Sequence, residues 1–147
     1  MRIRHYTLSD KKKLIQLIQL NTPTYFDPSE TKEYDDYLDQ EIEDYFVVEE
    51  DSMMIAAGGI NYMYDQKIAR ISWDMVHPEH QGKGIGSLLL QHRLTHLQGN
   101  PNIEIIEVRT SQLTHKFYGK SGFKLVEIKE NFWAPGFDLY AMRKLNE

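Results

Sequence analysis

The sequence predicts an α+β fold: a mixed, mostly antiparallel sheet of about six or seven strands with about four helices around it. Three observations predict it. Tyr45 to Glu49, Met54 to Tyr62 and Lys67 to Val76 are strand-like runs separated only by the turn-forming Asp51-Ser52 and Tyr64-Asp65-Gln66, which is the economical pattern of an antiparallel meander. After Val76 the apolar period changes from two to about 3.6 across Gln81-Gly82-Lys83-Gly84-Ile85-Gly86, so a helix follows a strand through a glycine-rich turn. Ile103 to Val108 then reads as a buried strand, and a strand, helix, strand order requires a parallel pair joined by a right-handed crossover.

The remaining elements follow in order. Ile3 to Tyr6 is a short first strand, and Thr7-Leu8-Ser9-Asp10 gives a capping-box pattern that opens a helix with Leu14, Ile15, Leu17 and Ile18 on its apolar face. Asn21 to Pro23 ends it. A second helix starts with Asp27 as N-cap, Pro28 in the first helical position and Glu30 three residues after the cap. Along it Tyr34, Tyr37, Leu38, Glu41, Ile42 and Tyr45 recur at helical spacing. This stripe reads either as a face packed on the sheet or, with Tyr25, Phe26 and Tyr34, as part of a substrate pocket. Gly58-Gly59 interrupts the middle strand and marks a bulge or a close approach to the backbone.

The helix behind the glycine turn places Ile85, Leu88, Leu89, Leu94 and Leu97 on apolar positions and stops at Gly99-Asn100-Pro101. A short helix from about Leu113 carries Phe117 and Tyr118 and closes at Gly122. Lys124 to Lys129 and Phe137 to Leu145 alternate as two last strands.

Composition narrows the function. A chain of 147 residues fits one domain, residues 1–147, able to bury roughly 70% of its unfolded surface. Zero cysteines exclude disulfides, thiolate metal sites and a cysteine nucleophile. The net charge of -5, from 17 basic and 22 acidic residues without a basic block, argues against nucleic acid as a partner. No apolar run approaches the roughly 18 residues of a membrane span and no signal-peptide core follows Met1, so the expected compartment is the cytoplasm with no membrane partner. His77-x-x-His80 and His92-x-x-x-His96 have ligand-like spacing but lack the glutamate of a zinc-protease helix, so no metal is expected.

The glycine turn carries the chemistry. Glycines at alternate positions free the backbone of Cβ atoms, so successive N–H groups can converge on a bulky anion, and the helix start behind them adds unpaired N–H groups and a positive dipole end. Lys83 adds a mobile positive charge. The spacing fails the dinucleotide fingerprint, because Ser87 stands where the third glycine should fall, and fails the Walker loop, because Gly84 follows Lys83.

The segment resembles instead the Arg/Gln-x-x-Gly-x-Gly motif of the GNAT superfamily of N-acetyltransferases, here Gln81-x-x-Gly84-x-Gly86, placed directly after a strand ending in Val76-His77-Pro78. Phe117-Tyr118-x-Lys120-x-Gly122-Phe123 resembles a second pattern of that family, Tyr-x-x-x-Gly-Phe. The resemblance is strong from Ile71 to Phe123 and weaker before. It implies the GNAT fold, acetyl-coenzyme A as acyl donor, and transfer to a primary amine of a small molecule or peptide by direct attack in a ternary complex. It further implies that the amides of Gln81, Gly82, Lys83, Gly84, Ile85, Gly86 and Ser87 bind the donor's pyrophosphate, and that the backbone of Met75 and Val76 bonds the pantetheine arm. A homodimer would be ordinary for this fold.

Amine acetylation needs a neutral amine, donors for the developing oxyanion and a proton for the departing thiolate. A bulged strand end at Met75 and Val76 could supply the N–H donors, each typically worth ~3 kcal/mol. The resemblance places Tyr118 as the acid; a phenol with pKa near ~10 keeps its proton until a thiolate of pKa ~8.5 needs it, although a packed helix aromatic reads the same way. For the base, Asp74 is the carboxylate nearest those donors, with Glu107, Glu49, a tyrosine or water as alternatives. Many relatives carry a glutamate where Trp73 stands here. That departure keeps a second function open, a non-catalytic module that binds or senses acyl-coenzyme A.

Overall fold

The computed structural model describes residues 1–147. Strands β1 (Arg2–His5), β2 (Asp44–Glu50), β3 (Met53–Met63), β4 (Ile68–Val76), β5 (Ile105–Thr110), β6 (Lys124–Ala134) and β7 (Phe137–Leu145) alternate with helices α1 (Lys11–Leu20), α2 (Glu30–Gln40), α3 (Ile85–Leu97) and α4 (His115–Gly119). Backbone pairing orders the strands β1-β2-β3-β4-β5-β7-β6. β1 with β2, β2 with β3, β5 with β7 and β6 with β7 are antiparallel. β4 and β5 are parallel, as the strand, helix, strand order requires, and they pair only over Ile68 to Ile71. The chain divides into two compact units, Met1–Ile60 with Trp73–His96, and Asn61–Ser72 with Leu97–Glu147.

In the first unit, α1 buries Leu14, Leu17 and Ile18 and α2 buries Tyr34, Tyr37 and Leu38 into one core with Tyr45, Val47, Met54, Ala57 and Met75. The first helix start is held as its capping pattern demands, with the Thr7 N–H donating to the Asp10 carboxylate at 2.8 Å. Arg4 then ties Asp10 and Glu49 together. Asn21 closes α1 by donating its side-chain amide to the Leu17 carbonyl at 2.9 Å.

Two expectations for α2 are corrected. The helix begins at Glu30, so Asp27 stands one turn earlier, where its N–H donates to the Glu30 carboxylate at 2.8 Å and its own carboxylate accepts from the Ser29 N–H at 3.0 Å. The helix also ends at Gln40, leaving Glu41 and Ile42 beyond it, while Tyr45 stands on β2 as the strand-like run Tyr45 to Glu49 expects. Asp39, Glu41, Glu43 and Asp44 crowd acid onto the negative end of the helix dipole, which disfavours continuation, and Tyr45 pairs with Gly59 across the sheet instead. The stripe reaches a single core, but from a helix and a strand.

Gly58-Gly59 is a close approach. β2 pairs with β3 without interruption at both glycines, and the irregularity lies at Val48/Glu49. A Cβ on Gly58 would fall 2.2 Å from Asp74 Oδ1, and one on Gly59 would fall 2.4 Å from the Tyr45 ring.

In the second unit, β5 and β7 bury Ile106, Val108, Leu139 and Met142. Glu107 is buried there between two guanidinium groups, Arg70 at 2.8 Å and Arg143 at 2.9 Å. Gly122 follows α4 with φ 94°, and Lys144 donates to the Ser121 carbonyl at 3.0 Å beside it. No helix is long and apolar enough to cross a membrane.

Candidate functional site

The glycine turn is built from both ends. β4 finishes with the His77 N–H donating to the Ile55 carbonyl at 2.7 Å, and the His77 imidazole then accepts from the Glu79 N–H at 3.1 Å to cap a short 3-10 turn. Gly82 (φ 77°) and Gly84 (φ 81°) take left-handed backbone on either side of Lys83, and a Cβ on either would meet nothing within 4 Å. These glycines are required by backbone conformation and open space, not by packing. The Leu88 N–H donates to the Gly84 carbonyl at 3.0 Å and closes the first turn of α3, so the N–H groups before it have no acceptor inside the helix. Alternating left-handed glycines ahead of such a helix start form a concavity of N–H donors suited to a phosphate.

Gln81 fastens this turn. Its side-chain amide nitrogen donates to the Val76 carbonyl and to the Asn21 side chain, each at 3.2 Å, and its oxygen accepts from the Tyr25 hydroxyl at 3.2 Å. One side chain thereby links the strand end, the glycine turn and the loop after α1.

At the other end of the Trp73 to Val76 segment, Trp73 has φ 50°, an uncommon state for a residue with a bulky side chain. The kink is locked by a relay. The Tyr45 hydroxyl donates its only proton to the Trp73 carbonyl at 2.9 Å, so the 2.7 Å contact between Tyr34 and Tyr45 is a donation from Tyr34. Burial pushes both phenols up from their ordinary range, which keeps them protonated as that relay needs. The Trp73 ring stacks on Phe26 at 6.1 Å and leans on Tyr34 at 5.1 Å and Tyr37 at 6.0 Å.

The three expected acceptor residues therefore differ in place. Tyr25 turns to Gln81, Phe26 is half-buried against Trp73, and Tyr34 is fully buried. Met75 is buried and Val76 half-buried. Asp74 bonds the fully buried Arg93 of α3 at 2.5 Å, and Arg93 also donates to the carbonyls of Gly59 at 3.0 Å and Leu89 at 3.3 Å. Tyr118 lies in the second unit, buried, with Phe117 and Phe123 edge-on at 5.0 and 5.9 Å.

Three features escape the sequence reading. Arg93 sits in a helix whose other polar residues face water, and only its four-residue spacing from the core residue Leu89 hints at burial. The left-handed Trp73 carries no local signal, because glycine or asparagine would be expected there. Glu30 reads as a capping residue, yet it is buried, and loss of solvation raises its carboxyl pKa to about 7. No group of three or more His, Asp or Glu side chains is arranged to hold a metal ion.

Comparison with known proteins accords with this architecture. The ribosomal-protein-S18-alanine N-acetyltransferase of Escherichia coli superposes with a TM-score of 0.82 at 16% identity, covering 99% of this chain and 94% of that one. An aminoglycoside 6'-N-acetyltransferase solved with coenzyme A gives 0.80 at 14% identity, covering 100% and 98%. In sequence, an amino-acid acetyltransferase of Pasteurella multocida is 31% identical over 131 residues, which is 87% of this chain. This chain spans 28% of that relative's length. The profile of the Acetyltransferase (GNAT) family matches residues 14–123, from within α1 through the glycine turn to the end of the Tyr118 segment. With both motif regions inside that span, the chain belongs to the Acetyltransferase (GNAT) family.

Proposed function

We propose that this protein transfers an acetyl group from acetyl-coenzyme A to a primary amine by direct attack within a ternary complex. The observation that carries the proposal is the glycine turn: left-handed Gly82 and Gly84 with open space where side chains would stand, at the start of a 13-residue helix. Such a cradle fits a pyrophosphate, and a Cβ would both strain the backbone and intrude on the anion. Bound acetyl-coenzyme A supplies the activated thioester.

The chain's own residues supply the rest. The amides from Gln81 to Ser87 hold the pyrophosphate, with Lys83 adding charge. The kink at Trp73 turns the backbone just before Met75 and Val76, whose N–H groups we assign to the pantetheine arm and to the developing oxyanion. Tyr118 holds the proton that the departing thiolate needs. Asp74 borders those backbone donors, and its bond to buried Arg93 fixes its orientation. We assign to it the alignment of the incoming amine or of a water that takes the amine's proton.

The half-buried Phe26–Trp73 pair presents aromatic surface to a cationic amine. Because relatives are named amino-acid acetyltransferases, α-amines of amino acids are the first acceptors to test, followed by polyamines, aminoglycosides and peptide N-termini.

Calorimetric titration with acetyl-coenzyme A, and in parallel with pantetheine lacking the nucleotide, tests the cradle. The expected result is binding that collapses without the pyrophosphate and with Gly84→Asp. Absence of binding to either would overturn the proposal. Turnover is then read by thiol release on the amine panel, where Tyr118→Phe should lower kcat by about 100-fold or more while donor affinity holds. Donor binding with no turnover on any amine would replace catalysis by acyl-coenzyme A sensing.

A further inference from the structure

Arginines withdrawn from solvent ordinarily meet an acid, and here Arg4 meets Asp10 and Glu49, Arg93 meets Asp74, and Arg70 and Arg143 share Glu107. Arg109 does not. It is half-buried on β5, on the same strand face as Glu107 two residues before it, and that carboxylate is already taken by its neighbours on β4 and β7. Glu107 and Glu127 act on Arg109 only through space. Burial, with Arg70 close by, holds its pKa below the ordinary guanidinium value, so this cation would gain from the arrival of an anion.

What Arg109 has instead is aromatic support. Its guanidinium carbon lies 5.0 Å from the Phe132 ring centre and 5.5 Å from that of Trp133. Rings take up the flat face of a guanidinium and leave the N–H groups along its edge for a planar partner with two oxygens. The rings are themselves fixed. The Trp133 indole donates to the Thr110 carbonyl at 3.1 Å, Gln112 donates to the Gly136 carbonyl at 2.7 Å and accepts from the Asp138 N–H at 2.9 Å, and the Asn131 N–H donates to the Asp138 carboxylate at 2.8 Å. Lys129 adds a second cation 5.7 Å from the Phe132 ring centre.

The place of Arg109 on its strand fits a ligand as well. β5 pairs with β4 as far as Val108, so Arg109 is the first residue past the parallel ladder, at its carboxyl end. Open sheets bind ligands beyond the carboxyl ends of parallel strands. Tyr118, to which we assign the proton for the thiolate, is carried by α4, the helix that follows β5.

We propose that Arg109 binds a carboxylate of the acceptor, its edge N–H groups donating to both oxygens, so that the acceptors are amino acids and not polycationic amines. The inference rests on the acetyl-transfer reading for the fate of the bound amine, whereas the carboxylate site itself needs no turnover. Polyamines and aminoglycosides carry no carboxylate and bring further positive charge to Arg109 and Lys129. They should be poor acceptors.

The test compares each standard amino acid with its own α-carboxamide, which keeps the amine and the side chain and removes the charge. The expected result is that kcat/KM favours the acid by about 10- to 100-fold, through KM. Arg109→Gln should raise KM for the acids by a similar factor and erase the preference over carboxamides, with affinity for acetyl-coenzyme A checking that the fold is intact. Arg109→Lys keeps the charge without the fork and should fall between the two. Calorimetry of the coenzyme A-loaded protein with the same pairs reads the site without turnover and should show the same preference, lost in Arg109→Gln. Binding of acids without turnover of any would uphold the site and overturn acetyl transfer. Acids and carboxamides treated alike, a preference that survives Arg109→Gln, or no binding of any acid would overturn the proposal.

Discussion

Arg93 is fully buried, and its charge is answered by a carboxylate that itself retains some contact with water. That asymmetry sets which partner can be spared. Removing Asp74 strands a guanidinium in the interior, so Asp74→Ala should cost about 3–5 kcal/mol in urea unfolding. Arg93→Met fills the same space with an apolar chain and leaves Asp74 a route to solvent, and its cost should be the smaller of the two. Equal costs would mean that Arg93 is solvated on opening of the site and that the pair is not buried in solution.

Glu30 offers a pH dependence at the same scale. Its carboxyl pKa rises from about 4.5 to about 7 because burial penalises the charged form, outweighing the Asp27 N–H that favours it. The folded chain thus holds this proton more tightly than the unfolded chain. The stabilising neutral acid is fully present below pH ~4.5 and is lost as pH rises through about 7. Glu30→Gln keeps an oxygen for the Asp27 N–H and never ionises. It should match the parent chain near pH 4.5 and exceed it at pH 8, by at most about 3 kcal/mol. Urea midpoints at the two pH values decide this, and an unchanged difference would show that Glu30 ionises freely.

At the scale of elements, the end of β4 matters most. A tryptophan with left-handed backbone costs about 1–2 kcal/mol, and the Tyr34–Tyr45 relay and ring stacking on Phe26 offset it. Tyr45→Phe deletes the donor to the Trp73 carbonyl and the acceptor for the Tyr34 hydroxyl while keeping the ring. We expect a loss of about 1–3 kcal/mol in stability. If Met75 and Val76 act as assigned, the same change should lower acetyl transfer by more than it lowers donor binding. Full activity in a destabilised variant would separate the kink from the chemistry. The glycine turn is a contrasting element: nothing packs on Gly82 or Gly84, so its shape is set locally by left-handed backbone and by the three bonds of Gln81.

At the scale of the whole chain, the parallel pairing of β4 with β5 meets the antiparallel pairing of β5 with β7, and Glu107 stitches that junction. Its carboxylate accepts from Arg70 on β4 and from Arg143 on β7 while sitting on β5 between them. Glu107→Ala should destabilise by about 1–3 kcal/mol, since both arginines are partly exposed and can turn to water. A thermal melt reads it, and an unchanged midpoint would show that pairing of the strands alone holds the junction.

The amino-acid order by itself determined the elements and the motif. Period-two runs, period-3.6 runs, the Thr7–Asp10 start and the glycines after helices are local signals, each decided within a few residues of backbone geometry and capping. The Gln81-x-x-Gly84-x-Gly86 turn belongs to the same class, because a left-handed glycine states its own requirement. The end of α2 is less legible: Glu41 and Ile42 continue its spacing, and Tyr45 belongs both to that stripe and to the strand-like run Tyr45 to Glu49, a choice that pairing with Gly59 on the next strand decides. Tertiary structure alone decided that Gly58 makes room for Asp74 and Arg93, that Gln81 reaches Tyr25 and Asn21, and that β6 keeps an uncovered edge. Those outcomes join residues from 16 to 60 positions apart or depend on what is left unpaired. Side chains that meet only after the sheet has closed leave no period in the sequence, because their energies come from burial and charge pairing and not from local conformation.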